Sequence, residues 1–473
     1  MRKKLALVNY HDPFFWPFAQ RLASDGFDVY FINTRPISSA WHREQGADPA
    51  RVCDVLEGED SISCASVAAE LLKEYEMDGL PTINSIVLMD QNLRNAAYPD
   101  ALIYLANSAV KVRAFLEENG IEAVSSGRDT SLQFITMLIC KKLGIWWGCV
   151  TRPKLPKEWF GFSPTLQGDR FIPLREVTPD DVELARTWLA RYRADITIKP
   201  HARPKVGGVS SFLKDLLHAA TVLLSHLQQA IKAGKDRKIP GARVSLHIRR
   251  YIRELVNYAN YRLFLKFDEP GEEPFVLYGL HRQPESSIDV RGAFFDDQMA
   301  LVKQIARSLP VSHKLYVKVH FSDVAGQSAL FYKKLRSLPG VKLITPDADS
   351  RKLVQKAAIV ITNVGAMGQE GGYLGRPVIA MSRMFWCDLP TVVQCGTPSE
   401  LPGLISRMIS HPPADDFDAA ARELAGYLAN SFQCDPNLGF INPSFSTQEL
   451  DVLAEAYEQV WRLSQGGKSA HAA

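Results

Sequence analysis

Apolar and polar positions along this chain follow two periods, and the places where one gives way to the other mark its elements. Short apolar runs bounded by polar residues predict strands at Lys4–Val8 and Asp28–Asn33, with helical spacing over Pro17–Asp25 between them. Strand, helix, strand in that order makes a βαβ unit, whose parallel sheet has to be covered by helices. The texture returns at Glu122–Ser126, a strand that ends at Gly127-Arg128-Asp129-Thr130 and leads into helical spacing over Leu132–Leu143. Gly144–Val150 reads as the start of another βα unit. From Pro274 a second set begins. Strands are predicted at Phe275–Tyr278, Lys314–His320, Val341–Ile344, Ala358–Ile361 and Pro377–Met381. Helices are predicted at Phe295–Leu309, Ser328–Ser337 and Ser350–Ala357.

Between about Val177 and Phe267 strand signals vanish and helical ones take over, as in Phe212-Leu213, Leu216-Leu217, Ala220, Leu223-Leu224 and Leu227. The expected fold class is therefore α/β: two Rossmann-like, doubly wound domains with a cleft between them, a helical insert, and C-terminal helices. The boundaries read as 1–176 for the N-terminal domain, 177–270 for the insert and 271–410 for the C-terminal domain. Residues 411–473 read as helices packing back across the domains. A chain of 473 residues is too long for one ordinary core, which agrees with that division.

Composition changes this picture only in places. Apolar residues make up 46% and charged residues 23%, the proportions of a globular protein, and a net charge of +3 calls for no nucleic acid or other strongly charged partner. The apolar run after Met1-Arg2-Lys3-Lys4 stops at Asn9, too early for a secretory signal, and no run approaches the length of a membrane span. Seven scattered cysteines form no CxxC pair or metal spacing, and read as reduced structural thiols in a cytoplasm. One segment departs from neutrality. Residues 201–250 hold ten Lys or Arg against Asp215 and Asp236, a local balance of +8. The basic helices of 201–266 are thus candidates for peripheral contact with an anionic membrane, the inner face of the cytoplasmic membrane, or else a solvated subdomain.

The chemistry concentrates at strand ends. Thr362–Val378 spends five glycines and one carboxylate on a turn and helix directly after a buried strand. Backbone N–H groups at such a helix start can hold a phosphate, with Gly365 and Gly368 allowing close approach. Glu370, expected in the first helical turn, can accept both hydroxyls of a ribose. Glycines for helix–sheet packing and a glutamate cap are the other reading. His281, Gln283 and Glu285 crowd the loop after Phe275–Tyr278, and Lys318 and His320 lie two apart on a strand running to its end. Ligands of parallel sheets bind at those edges. In the first domain Asp12 and Asp129 stand at strand ends, each either a general base or nucleophile or a helix cap. No D-x-D sits at a strand end, and Asp347-Ala348-Asp349 reads as a helix cap. The reaction expected is metal-independent, with no cofactor beyond a nucleotide-sugar substrate.

Leu280–Ser287 (LHRQPESS), Asp296-Asp297-Gln298, Leu309–His320 and Ile361–Ile379 together resemble the capsular polysaccharide biosynthesis family of bacterial glycosyltransferases. These are similar to GT-B enzymes and include capsule Kdo transferases. The likeness covers roughly 270–385 well and the first domain only in pattern. In that family a proline usually follows the strand-end histidine; here Phe321 follows His320. The resemblance implies a GT-B arrangement and a sugar transferred to a surface glycan or its lipid-linked precursor. It also implies nucleotide-sugar binding, with Glu370 toward ribose, and His320 and the Gly365–Gly368 turn toward phosphate. His281, Gln283 and Glu285 would face the cleft, and the general base or nucleophile, Asp129 or Asp12, would come from the N-terminal domain. Gly365, Gln369-Glu370 and Leu374-Gly375 with Pro377-Val378 are also similar to non-hydrolysing UDP-N-acetylglucosamine 2-epimerases, from which the helical insert and the QPE loop depart. A non-catalytic sugar-nucleotide-binding subunit of a capsule assembly complex is a third reading.

Overall fold

The computed structural model describes residues 2–10, 15–34, 36–127, 129–199, 239–242, 244–321, 323, 326–434 and 445–466. Contacts divide it into two units. The first draws on Met1–Glu176, Ala233–Arg243 and Leu428–Ala473, the second on Val177–Lys232 and Val244–Tyr427.

The first unit is built on a seven-stranded sheet. Its strands are β1 (Lys3–Val8), β2 (Phe27–Asn33), β3 (Val52–Asp54), β4 (Ala123–Ser126), β5 (Trp146–Thr151), β6 (Trp159–Ser163) and β13 (Ser431–Gln433), in the order β13-β6-β5-β4-β1-β2-β3. The five strands β3, β2, β1, β4 and β5 run parallel. β5 does not lead into a helix as the sequence pattern implies; it pairs antiparallel with β6, which pairs antiparallel with β13. Helices α1 (Phe15–Ser24), α2 (Pro36–Glu44), α3 (Ala65–Lys73), α4 (Ile83–Met89), α5 (Tyr98–Asn119) and α6 (Ser131–Leu143) join these strands.

The second unit has six parallel strands: β7 (Phe275–Gly279), β8 (Lys314–Lys318), β9 (Val341–Ile344), β10 (Ile359–Thr362), β11 (Val378–Ala380) and β12 (Val392–Gln394), ordered β12-β11-β10-β7-β8-β9. β7 and β10 are buried at every residue, as central strands of a sheet covered on both faces must be. Its helices are α7 (Pro179–Ala194), α8 (Val244–Phe264), α9 (Gln298–Ser308), α10 (Ala329–Arg336), α11 (Ser350–Lys356), α12 (Ala366–Tyr373), α13 (Leu401–Ser410) and α14 (Phe417–Ala429), the last reaching the unit boundary. The remaining helix, α15 (Thr447–Gly466), packs in the first unit against α1.

Each sheet is thus Rossmann-like, as the alternation of patterns implies. The described part of the expected insert forms no body of its own, because α7 and α8 belong to the second unit. The helical repeat at 212–227 and most of the basic run of 201–250 lie outside the described residues. No described helix is long and apolar enough to cross a membrane. All seven cysteines are free. Five are buried, but Cys64 stands exposed at the start of α3, against the expectation of seven structural thiols.

Candidate functional site

Strand order in each sheet reverses at one place. In the second sheet β7, β8 and β9 run outward to one side while β10, β11 and β12 run to the other, so the switch point lies between β7 and β10. Loops diverge there and leave a crevice beyond the strand ends. The segments after these two strands carry His281 and Gly365.

His281 is buried, and its backbone is fixed on both sides by one amide. Its N–H donates to Gln298 Oε1 at 2.7 Å, and Gln298 Nε2 donates to its carbonyl at 3.1 Å. The same Nε2 reaches Gln283 Oε1 at 3.3 Å, and Gln283 Nε2 reaches Asp289 Oδ1 at 3.4 Å. The QPE loop is therefore held from α9 by Gln298, from the Asp296-Asp297-Gln298 motif, which was not counted as a site residue in the sequence. The His281 imidazole is pressed toward neutrality, its pKa pushed down to about 4 by burial. Its Nε2 has no hydrogen-bond partner among the described residues. The ring lies against the α12 turn: a Cβ on Gly365 would stand 3.1 Å from His281 Cε1.

Gly365 is the N-cap of α12, and its N–H donates to Thr362 Oγ1 at 2.9 Å. Behind it Asn363 donates to the carbonyls of Gly292 (2.9 Å) and Phe295 (3.1 Å), and accepts from Ser382 Oγ at 2.6 Å. The turn is rigid, with the N–H groups of Ala366 and Met367 heading the helix.

The other glycines of the stretch serve packing. A Cβ on Gly368 would meet Trp386 at 2.3 Å and Thr362 Cγ2 at 2.7 Å, on Gly371 it would meet Val378 at 2.7 Å, and on Gly372 Leu389 at 2.6 Å. One side of α12 thus lies almost in contact with β10, β11 and the segment after them. The Gly368 N–H is also occupied, by Gly365 O at 3.0 Å. Glu370 is the fifth residue of α12, not a first-turn residue, and is 2% exposed. Its charge, after burial itself, raises the pKa of the Tyr192 hydroxyl from α7. Tyr192 stacks on Trp188, and the buried Arg351 guanidinium sits 3.9 Å from its ring centre. Among the described residues Arg351 Nε and Nη1 have no hydrogen-bond partner.

Of the remaining sequence candidates, Glu285 lies on the same loop as His281, and Lys318 and His320 lie at and beyond the end of the neighbouring strand β8. Glu285 is exposed, its carbonyl accepting from Ile288 and Asp289. Lys318 is buried at the end of β8, where Nζ donates to Pro346 O at 3.1 Å. His320 is half-buried and stacks on Phe321, with 4.7 Å between ring centres. Asp349 caps α11, accepting from Arg351 and Lys352, as its position before a helix predicts. Asp323, beyond His320, carries no sequence signal. It is buried, accepts from the Gln283 backbone N–H, and has its pKa raised to about 7, chiefly by burial.

In the first sheet the switch point lies between β1 and β4. Asp129 stands half-buried just after β4. It does not cap α6; Thr130 does, in a capping box with Gln133, while Asp90 Oδ2 accepts the Ser131 N–H at 2.9 Å. Asn9 follows β1 with φ of 57°, held by Thr34 N at 3.0 Å. Asp12 lies outside the described residues.

Solved structures similar to this chain include UDP-GlcNAc 2-epimerases and KpsC Kdo transferases. A UDP-GlcNAc 2-epimerase from Methanocaldococcus jannaschii is 14% identical with a TM-score of 0.26, the match covering 89% of this chain and 98% of that one. The KpsC beta Kdo 2,4 transferase of Thermosulfurimonas dismutans is 13% identical with a TM-score of 0.39, over 72% and 88%. A UDP-GlcNAc 2-epimerase from Neisseria meningitidis, bound to UDP-GlcNAc, is 12% identical with a TM-score of 0.29, over 93% and 98%. No protein-family model matches the chain, and no curated protein matches its sequence.

Proposed function

We propose that this chain is a glycosyltransferase that takes a sugar from a nucleotide donor and passes it to a surface glycan or its lipid-linked precursor. The observation that carries the reading is the grouping at the β7–β10 switch point: a neutral buried imidazole with an open Nε2, a rigid turn heading α12, and a carboxylate on the same helix. The α12 N-terminus offers partial positive charge to phosphate oxygens. His281 Nε2, close to Gly365, would bond the same group, and His320 would approach it from β8. Glu370 is assigned to ribose, which requires its buried carboxylate to open toward the ligand. Gly365 is kept as a phosphate contact; Gly368 and Lys318 are assigned to holding the strand ends in place. Gln283 and Glu285 shape the loop that the sugar would meet. Asp129, with Asp12 as the other choice, is assigned the acceptor hydroxyl as general base or the anomeric carbon as nucleophile. No step calls for a metal or a cofactor.

An epimerase reading draws on Gln369-Glu370, which lie buried side by side on α12. Incubation with CMP-, UDP-, GDP- and CDP-linked sugars separates the two. A transferase releases nucleotide when a glycan acceptor is added and leaves the donor otherwise intact. Conversion of a UDP-sugar to its epimer without acceptor would overturn the transferase reading, and binding without any turnover would favour a non-catalytic subunit.

A further inference from the structure

Two helices of the second unit expose faces that water alone does not account for. Among the positions of α8 from Ser245 to Val256 whose burial is described, Ser245, Arg249, Ile252, Arg253 and Val256 are exposed, and helical spacing gathers them into one stripe. Ile252 is 50% and Val256 53% exposed. Neither arginine has an ion-pair partner among the described residues, whereas Arg250, off the stripe, pairs with Glu254 at 2.9 Å. Helix α10 packs against α8 and exposes Leu330, 60% accessible, with Lys333 and Lys334 one turn on. No carboxylate stands on either stripe.

A solvated helix face mixes both signs of charge and keeps bulky aliphatics few. Here β-branched and leucine side chains alternate with cations that have no ion-pair partner among the described residues. That combination fits a lipid–water boundary, where aliphatic groups enter the acyl margin and cations stay at phosphate level. A second copy of the chain would set like charges against each other. We propose that the α8–α10 face docks on an anionic lipid bilayer. This goes beyond the transferase reading, and its test does not involve the donor site, so either can fail alone.

The experiment is flotation of the full chain with phosphatidylcholine vesicles, with and without phosphatidylglycerol. The protein is expected to float only with the anionic vesicles, and less as salt is raised. Each cation near such a surface changes partitioning about fivefold, so Arg249→Ser with Arg253→Ser should weaken it about thirtyfold. Ile252→Asp with Val256→Asp should abolish it. All four positions are exposed, so circular dichroism should report an unchanged fold. No flotation with either vesicle, equal flotation with both, or variants that float like wild type would each overturn the proposal. So would self-association that is lost in the aspartate variant while vesicles are ignored.

Discussion

Gly368→Ala puts the account of α12 to a test of sign. Alanine is the better helix former by about 1 kcal/mol, so propensity alone predicts a gain in stability. The packing predicts a loss. The new methyl would stand 2.3 Å from the Trp386 ring and 2.7 Å from Thr362 Cγ2. Carbon atoms settle about 3.5–4.0 Å apart, so α12 or the ring must retreat by more than an ångström. Trp386 is only 2% exposed and has little room to move. Overpacking of this kind costs about 1–3 kcal/mol, which cancels or outweighs the helix term and leaves a net loss of up to about 2 kcal/mol. Gly403 on α13 is the control, with nothing within 4 Å of its added methyl. Gly403→Ala should therefore raise stability by up to about 1 kcal/mol. Urea unfolding of both variants reads the difference as opposite displacements of the midpoint. A Gly368→Ala protein as stable as Gly403→Ala would refute close packing as the reason for that glycine.

The buried groups give pH predictions of opposite sign. His281, its pKa pushed down to about 4, stays neutral in the folded chain while the unfolded chain takes up a proton below about pH 6.5. Its contribution to stability is thus lost as pH falls across that window, by up to about 3 kcal/mol, and His281→Gln should remove the loss. Asp323, raised to about 7, holds a proton in the folded chain that the unfolded chain releases above about pH 4. Stability from this group falls as pH rises from about 4 to 7, by up to about 4 kcal/mol, and Asp323→Asn should flatten that part of the profile while keeping an acceptor for Gln283. In the first unit the Tyr457 hydroxyl lies 3.0 Å from that of Tyr10 and 2.9 Å from Ser125 Oγ, all three residues buried. Tyr457→Phe should cost about 1–3 kcal/mol in chemical denaturation, and an unchanged midpoint would mean that α15 is not anchored there.

The two sheets were legible because central strands such as Phe275–Gly279 and Ile359–Thr362 are short apolar runs, the mark of parallel strands buried on both faces. Strands whose apolar character is shared with flanking loops were harder to find. The pairing of β5 with β6 and β13 depends on contacts far apart in the chain, and no local pattern around Gly144–Val150 announces it. The placement of His281 and Gly365 after neighbouring strands of the second sheet was legible because each closely follows an apolar run. The role of Gly368 was not, since a glycine kept for a phosphate and one kept for a tryptophan ring look alike in sequence. Gln298, Asp323, Tyr192 and Arg351 were missed for a related reason. Their importance comes from burial and from the groups facing them, which only the folded chain assembles.

The central claim is that a nucleotide sits at the β7–β10 switch point with its ribose on Glu370. Calorimetric titration of wild type and Glu370→Gln with CMP, UDP, GDP and CDP tests it most directly. The account predicts one nucleotide bound far more tightly than the others, with affinity reduced about tenfold or more in the variant, since a bond from ribose to a charged acceptor contributes about 1.5–3 kcal/mol. Equal affinity of wild type and variant, or no nucleotide bound by a folded protein, would contradict it.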